Sequence, residues 1–311
     1  MSDFSELAEQ SHASEYLAEG LREGTIVLFL GAGASKSFGL PGWVELVSEL
    51  RVATGLSAIV SKTKSKSKSK SKMAYGADEL QRFADEVLDQ LSNDEGRLIE
   101  LIQEVLYKNL IALETASIFA NRLLIAVTAL LMGSRRGHIK RVVTLNYDNL
   151  LQWFLSVYGF TVRTVYSLPQ LEGSEDVRIY HPHGYIPLKS SNEECSNFVI
   201  LGLSSVHLRL GKTVDTWLEM IRHLLLSGTC LFVGMSPETL SDRAIGPLLQ
   251  TCGLQCREDR PLGFWLLKGE LEAGKRAEYQ RNNIIPVEFP DYEKLADFLL
   301  DVCKAAGNPK L

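Results

Sequence analysis

The chain has 311 residues, 45% hydrophobic and 23% charged, a length and balance that suit one large globular domain with a real core. Its formal net charge of −5 gives no sign of a surface built for nucleic acid, so direct nucleic-acid binding is not expected. Five scattered cysteines (195, 230, 252, 256 and 303) fit free thiols in a reducing compartment; the start of the chain lacks a leader pattern, and its most apolar stretch, 123–132, is far short of the ~20 residues of a membrane span. A cytoplasmic protein with no membrane contact is expected.

Residues 5–23 place Leu7, Tyr16, Leu17 and Leu21 among Glu, Gln and Arg and stop at Gly24, which predicts a short amphipathic helix with a glycine end. Residues 26–30 are then continuously apolar and run straight into Gly31-Ala-Gly-Ala-Ser35. An unbroken aliphatic run closed by glycines predicts a strand buried on both faces, with a tight turn that lets the backbone approach a ligand. A plain tight turn is the competing reading at this point. Pro41-Gly42 marks a break, and 43–50 has helical spacing again, with Trp43 read as a core residue.

Residues 61–72 alternate Ser or Thr with Lys and contain nothing to bury, which predicts a disordered, solvated loop. From 78 to 132 the pattern is helical: Leu80, Phe83, Val87 and Leu91 share one face, and Leu98, Leu101, Ile102, Val105 and Leu106 another. Residues 110–131 form a third apolar segment. With no strand expected between Gly31 and Arg141, residues 44–138 are read as a helical module inserted into a single domain spanning 1–311, packed over the sheet beside the glycine turn.

Strand character returns at 140–145 and leads into Asn146-Tyr-Asp148. Polar residues directly after a buried strand lie at the carboxyl edge of a sheet, where open α/β folds bind ligands. Asn146 can present an amide to a sugar hydroxyl or a water; both Asn146 and Asp148 also suit turns and helix caps. Strands follow at 160–165 and 178–180, the latter running into His181-Pro-His183-Gly184, where His183 is placed to act as a general base. His181 and His183 alone do not make a metal ligand set. Further strands are expected at 197–201, 229–233, 262–267 and 284–289, with helices at 216–227 and 291–305; the 229–233 strand ends at Gly234-Met-Ser236. Strands alternating with helices predict an α/β, Rossmann-like, mostly parallel sheet with helices on both faces.

Four strand ends thus carry small or polar clusters: Gly31-Ala32-Gly33-Ala34-Ser35, Thr144-Leu-Asn146-Tyr-Asp148, His183-Gly184 and Gly234-Met-Ser236. Their order and residue types resemble the sirtuin family, NAD-consuming enzymes on a Rossmann-like sheet with a small inserted module, across residues 20–300. The resemblance implies NAD as substrate, its pyrophosphate on Gly31, Ala32, Gly33 and Ser35. It implies Asn146 and Asp148 at the nicotinamide ribose, His183 as catalytic base, and Gly234 and Ser236 at the cofactor's other end.

The departures from that family redirect the expected activity. Protein-deacylating sirtuins carry two Cys-x-x-Cys pairs around a zinc, whereas this chain has only Cys252-x-x-x-Cys256, late in the sequence, so no structural zinc and no other metal is expected. Leu145 stands where those enzymes place a glutamine, and Gly42-Trp43-Val44 replaces their Asp-Phe-Arg. These changes bring the chain closer to the sirtuin-like domains of bacterial antiviral systems, which implies an NAD glycohydrolase that releases nicotinamide and ADP-ribose to deplete the cell's NAD. Such an enzyme would be gated by homo-oligomerisation or by a partner protein that senses infection. The alternatives are an NAD-dependent deacylase or ADP-ribosyltransferase, a non-catalytic NAD or ADP-ribose sensor, and a scaffold whose helical module serves self-assembly.

Overall fold

The structure is a computed structural model that describes residues 4–59, 62–63, 72–73, 77–110, 121–132, 139–169, 173–188, 194–202, 205, 216–242, 245–256 and 260–307. Seven strands pair in parallel: β1 (Ile26–Leu30), β4 (Arg141–Thr144), β5 (Val162–Val165), β6 (Val177–Tyr180), β7 (Thr229–Val233), β8 (Gly263–Lys268) and β9 (Ile284–Phe289). Their order across the sheet is β5-β6-β4-β1-β7-β8-β9. The chain therefore builds one side of the sheet up to β6 and crosses β1 to build the other, which puts a topological switch around β1.

The sheet is buried on both faces for the reason its sequence suggests. Along β1, Ile26, Leu28 and Leu30 enter one apolar cluster and Val27 and Phe29 the other, as alternate side chains of a strand must. The first cluster is covered by α1 (Gln10–Glu23), α2 (Trp43–Ala53), α3 (Ala77–Gln90), α4 (Glu95–Tyr107), α5 (Arg122–Met132), α6 (Leu150–Val157) and α10 (Tyr292–Gly307). The second is covered by α7 (Thr216–Leu226), α8 (Gly246–Gln255) and α9 (Ala273–Arg281). Gly24 closes α1 in the left-handed conformation (φ 69°), its N–H reaching back to the Leu21 carbonyl, as the glycine end of that helix predicts.

Several elements depart from expectation. Residues 197–201 are no strand of the sheet. Phe198, Val199, Ile200 and Leu201 are buried, but the segment runs along the 183–185 loop, with the Ile200 N–H on the His183 carbonyl (2.8 Å) and the Ser196 N–H on the Tyr185 carbonyl (2.8 Å). A buried apolar run looks the same in sequence whether a ladder or a loop covers it. The interval between Gly31 and Arg141 does contain pairing: β2 (Lys62–Thr63) and β3 (Lys72–Met73) form a two-residue antiparallel ladder at the ends of the Ser/Lys run. The rest of that expected disordered loop, 61 and 64–71, lies outside the described residues. Within the third predicted segment the described helix is α5, Arg122–Met132, residues 111–120 lying outside the described ones; α6, α8 and α9 have no counterpart among the predicted helices.

The helices of the insertion share the apolar cluster of the sheet, and α5 packs on α10. They also reach over the carboxyl edge. Asn121 donates to the Ser37 hydroxyl, Gln81 to Asp242 (3.1 Å), Gln103 to the Pro187 carbonyl (2.7 Å) and Tyr107 to the Ile186 carbonyl (2.8 Å). The insertion is thereby tied to the loops that follow β1, β6 and β7.

Candidate active site

The four motifs fall at the carboxyl ends of four adjacent strands, β6, β4, β1 and β7 in that order. Beside one another they form a single edge, because parallel pairing aligns all these ends.

The two glycine turns fit against each other backbone to backbone. The Gly31 N–H donates to the Val233 carbonyl (3.0 Å) and the Gly33 N–H to the Gly234 carbonyl (2.9 Å). A Cβ on Gly31 would lie 2.6 Å from the Gly234 oxygen, and one on Gly33 would lie 2.8 Å from the Gly234 Cα. Gly234 itself is left-handed (φ 69°). The turn continues as two 3-10 turns, Ala32–Ala34 and Lys36–Phe38, closed by Ala34 N–H to the Gly31 carbonyl and Ser35 N–H to the Ala32 carbonyl. The expected use of these N–H groups as a pyrophosphate cradle is thus met by a different fact: those of Gly31, Gly33, Ala34 and Ser35 are spent inside the protein. The glycines here allow one turn to seat on another.

Between β1 and β4 the site residues meet directly. The Ser35 hydroxyl donates to the Asp148 carboxylate, 3.0 Å and 3.2 Å from its two oxygens. The Asn146 amide donates to the Gly31 carbonyl (3.2 Å) and the Ser35 hydroxyl (3.4 Å), and the Leu150 N–H donates to Asp148 (3.1 Å). Asp148 is buried, and burial pushes its carboxyl above the usual range against the pull of the Leu150 and Ser35 donors. Asn146 is half-buried.

His181 supports this cluster from β6. It is fully buried, with Nδ1 2.9 Å from the Asn146 carbonyl and Nε2 2.6 Å from the Gln152 amide nitrogen. A carbonyl can only accept, so Nδ1 carries the proton and Nε2 accepts from Gln152. Burial lowers its pKa to about 4, partly countered by the Asn146 carbonyl. The unfolded chain, with an ordinary histidine near 6.5, therefore binds the proton more readily. The stability that neutral His181 supplies is complete above about pH 6.5 and is lost as pH falls toward about 4, up to ~3 kcal/mol. Urea unfolding followed down this range should show a steeper loss for wild type than for His181→Asn; equal slopes would contradict the assignment.

His183 differs. Its Nε2 is sealed from solvent and meets no hydrogen-bond partner among the described residues. Burial lowers its pKa and the nearby Asp242 carboxylate opposes that shift. Asp242 accepts from Gln81 and from the Ile245 N–H (2.9 Å). Gln81 is buried as well, and its side-chain oxygen has no partner.

Of the predicted residues, Gly31, Ser35, Asn146 and Asp148 are hydrogen-bonded together, with Gly33 and Gly234 packed alongside. Ala32 is half-buried in the turn, and Ser236 is exposed at the start of the Pro237–Ser241 turn, where its side chain makes no cap. Gln152, Gln81 and Asp242 carry no motif and were not anticipated, although Gln152 stands one helical turn beyond Asp148. A crevice lined by Ser35, Thr144, Asn146, Asp148 and Gln152 holds about 10 Å³ of open space, room for one water. A larger cavity of about 420 Å³, lined by Asp242, Gln250, Glu278 and Arg281 among others, shares none of these residues. No protein-family model and no curated protein matches this chain.

Proposed function

We propose that the protein is an NAD glycohydrolase whose site is the carboxyl edge over β6, β4, β1 and β7. The observation that carries this reading is the direct joining of Ser35, Asn146 and Asp148 beside Gly31, with an unpartnered histidine nitrogen one strand away. Separate turn and cap residues would have no reason to converge there, and a core histidine would be satisfied as His181 is.

In the proposed reaction the bond between nicotinamide and the ribose C1′ breaks and nicotinamide leaves with the electron pair. The oxygen of a water adds to C1′, and one proton of that water passes to His183. Burial favours a neutral His183 at neutral pH, the form able to take that proton. Asn146 orients the water or the ribose, and Asp148, linked to Asn146 through the Ser35 hydroxyl, fixes the turn and accepts from ribose hydroxyls. The cation-like sugar of the transition state is favoured by these fixed dipoles. With the N–H groups of Gly31, Gly33, Ala34 and Ser35 engaged, the pyrophosphate is held by side chains and by contact with the glycine surface.

Entry of a dinucleotide requires the helices over the edge to give way, because the crevice admits one water. The bonds from Asn121, Gln81, Gln103 and Tyr107 to the strand-end loops are where homo-oligomerisation or a partner protein would gate the enzyme. That gating, and a role as a cytoplasmic effector of bacterial antiphage defence through NAD depletion, rest on the resemblance to sirtuin-like defence domains.

Purified protein incubated with NAD over a range of protein concentrations should release nicotinamide and ADP-ribose in equal amounts. NAD bound with no nicotinamide formed at any concentration would replace this reading with the sensor. Consumption that depends on an acyl-peptide, or label transferred to protein, would replace it with the deacylase or the transferase.

A further inference from the structure

We propose that the crevice beneath the glycine turn is a monovalent-cation site, in which one sodium-sized ion lies between the Asp148 carboxylate and the side-chain oxygen of Gln152. The ion's binding stands apart from the proposed reaction and needs no role for Asp148 in it.

The crevice has room for one water-sized species. The side chains around it have given their protons elsewhere. The Ser35 hydroxyl donates to Asp148, and the Asn146 amide donates to Gly31 and Ser35. The Gln152 amide nitrogen is committed to His181 Nε2, because His181 Nδ1 must give its own proton to the Asn146 carbonyl. That fixes which way the Gln152 amide is turned. Its oxygen is left buried with no partner among the described residues, on a residue that lines the crevice and is 5% exposed. A residue with an orphaned buried carbonyl and one with a buried carboxylate thus line the same small space.

Asp148 adds the charge. Among the described residues no Lys, Arg or His side chain pairs with it; its donors are the Ser35 hydroxyl, the Leu150 N–H and its own backbone N–H. An unpaired carboxylate buried among apolar side chains such as Leu30, Leu124 and Leu151 is costly, and its carboxyl is accordingly pushed above the usual range. A water would satisfy Gln152 but leave this charge uncompensated. A hard cation satisfies both, and hard cations take oxygen ligands. One carboxylate among neutral oxygens suits a single charge: among the described residues no group of three or more His, Cys, Asp or Glu is placed to hold a metal ion, as a divalent site would ask.

The test is thermal unfolding of the full chain in sodium chloride, potassium chloride and choline chloride at one ionic strength, beside ²³Na line broadening. Sodium should raise the melting temperature over choline, and the excess should vanish in Gln152→Leu and Asp148→Asn. Gln152→Leu keeps the test open should Asp148→Asn fail to fold. Equal melting of wild type in all three salts, with no sodium broadening, would overturn the site and leave a water there. Neither readout needs nicotinamide release, so a cation-stabilised protein that never cleaves NAD keeps the ion and loses the glycohydrolase, while NAD cleavage with no cation effect does the reverse.

Discussion

His183→Ala should lower nicotinamide release by about 10²–10⁴-fold, the usual worth of a general base, while NAD affinity and melting temperature stay near wild type. The expectation follows from what the residue lacks. Among the described residues its Nε2 makes no hydrogen bond, so none is broken there when the ring is removed. His181 is the internal contrast: it holds the Asn146 carbonyl and the Gln152 amide, so His181→Ala should lose stability first and turnover as a result. Asn146→Ala should lose turnover as fully as His183→Ala, with a modest loss of stability from its bonds to Gly31 and Ser35. The pH profile adds a second test. Because burial lowers the His183 pKa, the rate should hold its plateau below the usual histidine value and fall only in more acidic buffer. Asp242 opposes the burial effect, so Asp242→Asn should move that acid limb lower still. Release by His183→Ala at the wild-type rate would remove the residue from the mechanism.

The fold was legible where burial follows a period. All seven strands of the sheet fall on the predicted stretches to within two residues at either end, since a parallel strand covered on both faces must read as continuous hydrophobic residues. The same logic misled at 197–201, where the covering is a loop that pairs with 183–185. Helix α9, whose buried residue is Tyr279 alone, leaves almost no apolar stripe to read. At the site, the strand-end motifs identify Ser35, Asn146 and Asp148 because small and polar residues stand out after an apolar run. Gln152 and Gln81 come from helices, where a glutamine is ordinary, and only the fold brings them to the edge. The glycines read as places where the backbone approaches a ligand, whereas what approaches them in the fold is the neighbouring turn. A sequence shows that a Cβ is unwelcome without showing whether a ligand or the protein itself fills the space.

That distinction yields the largest stability effect expected here. Gly31→Ala should destabilise the protein by about 1–3 kcal/mol and remove NAD cleavage with it. Gly31 has φ −116° and ψ −178°, extended backbone open to any residue, so the penalty is wholly one of packing. The new Cβ would stand 2.6 Å from the Gly234 oxygen and 2.7 Å from the Met235 Cα, both backbone atoms that no rotamer change can move aside. The β1 and β7 turns would have to separate, breaking the Gly33-to-Gly234 bond and displacing the Gly31 carbonyl on which Asn146 rests. Gly274→Ala is the matched control. It lies near the start of α9 with nothing within 4 Å of its Cβ position, so alanine there should stabilise by about 0.4–1 kcal/mol through helix propensity and a less free unfolded chain. Urea unfolding of the two variants side by side should give shifts of opposite sign. Shifts of the same sign and size would mean that the glycine turns are not packed as tightly on each other as the edge of this sheet requires.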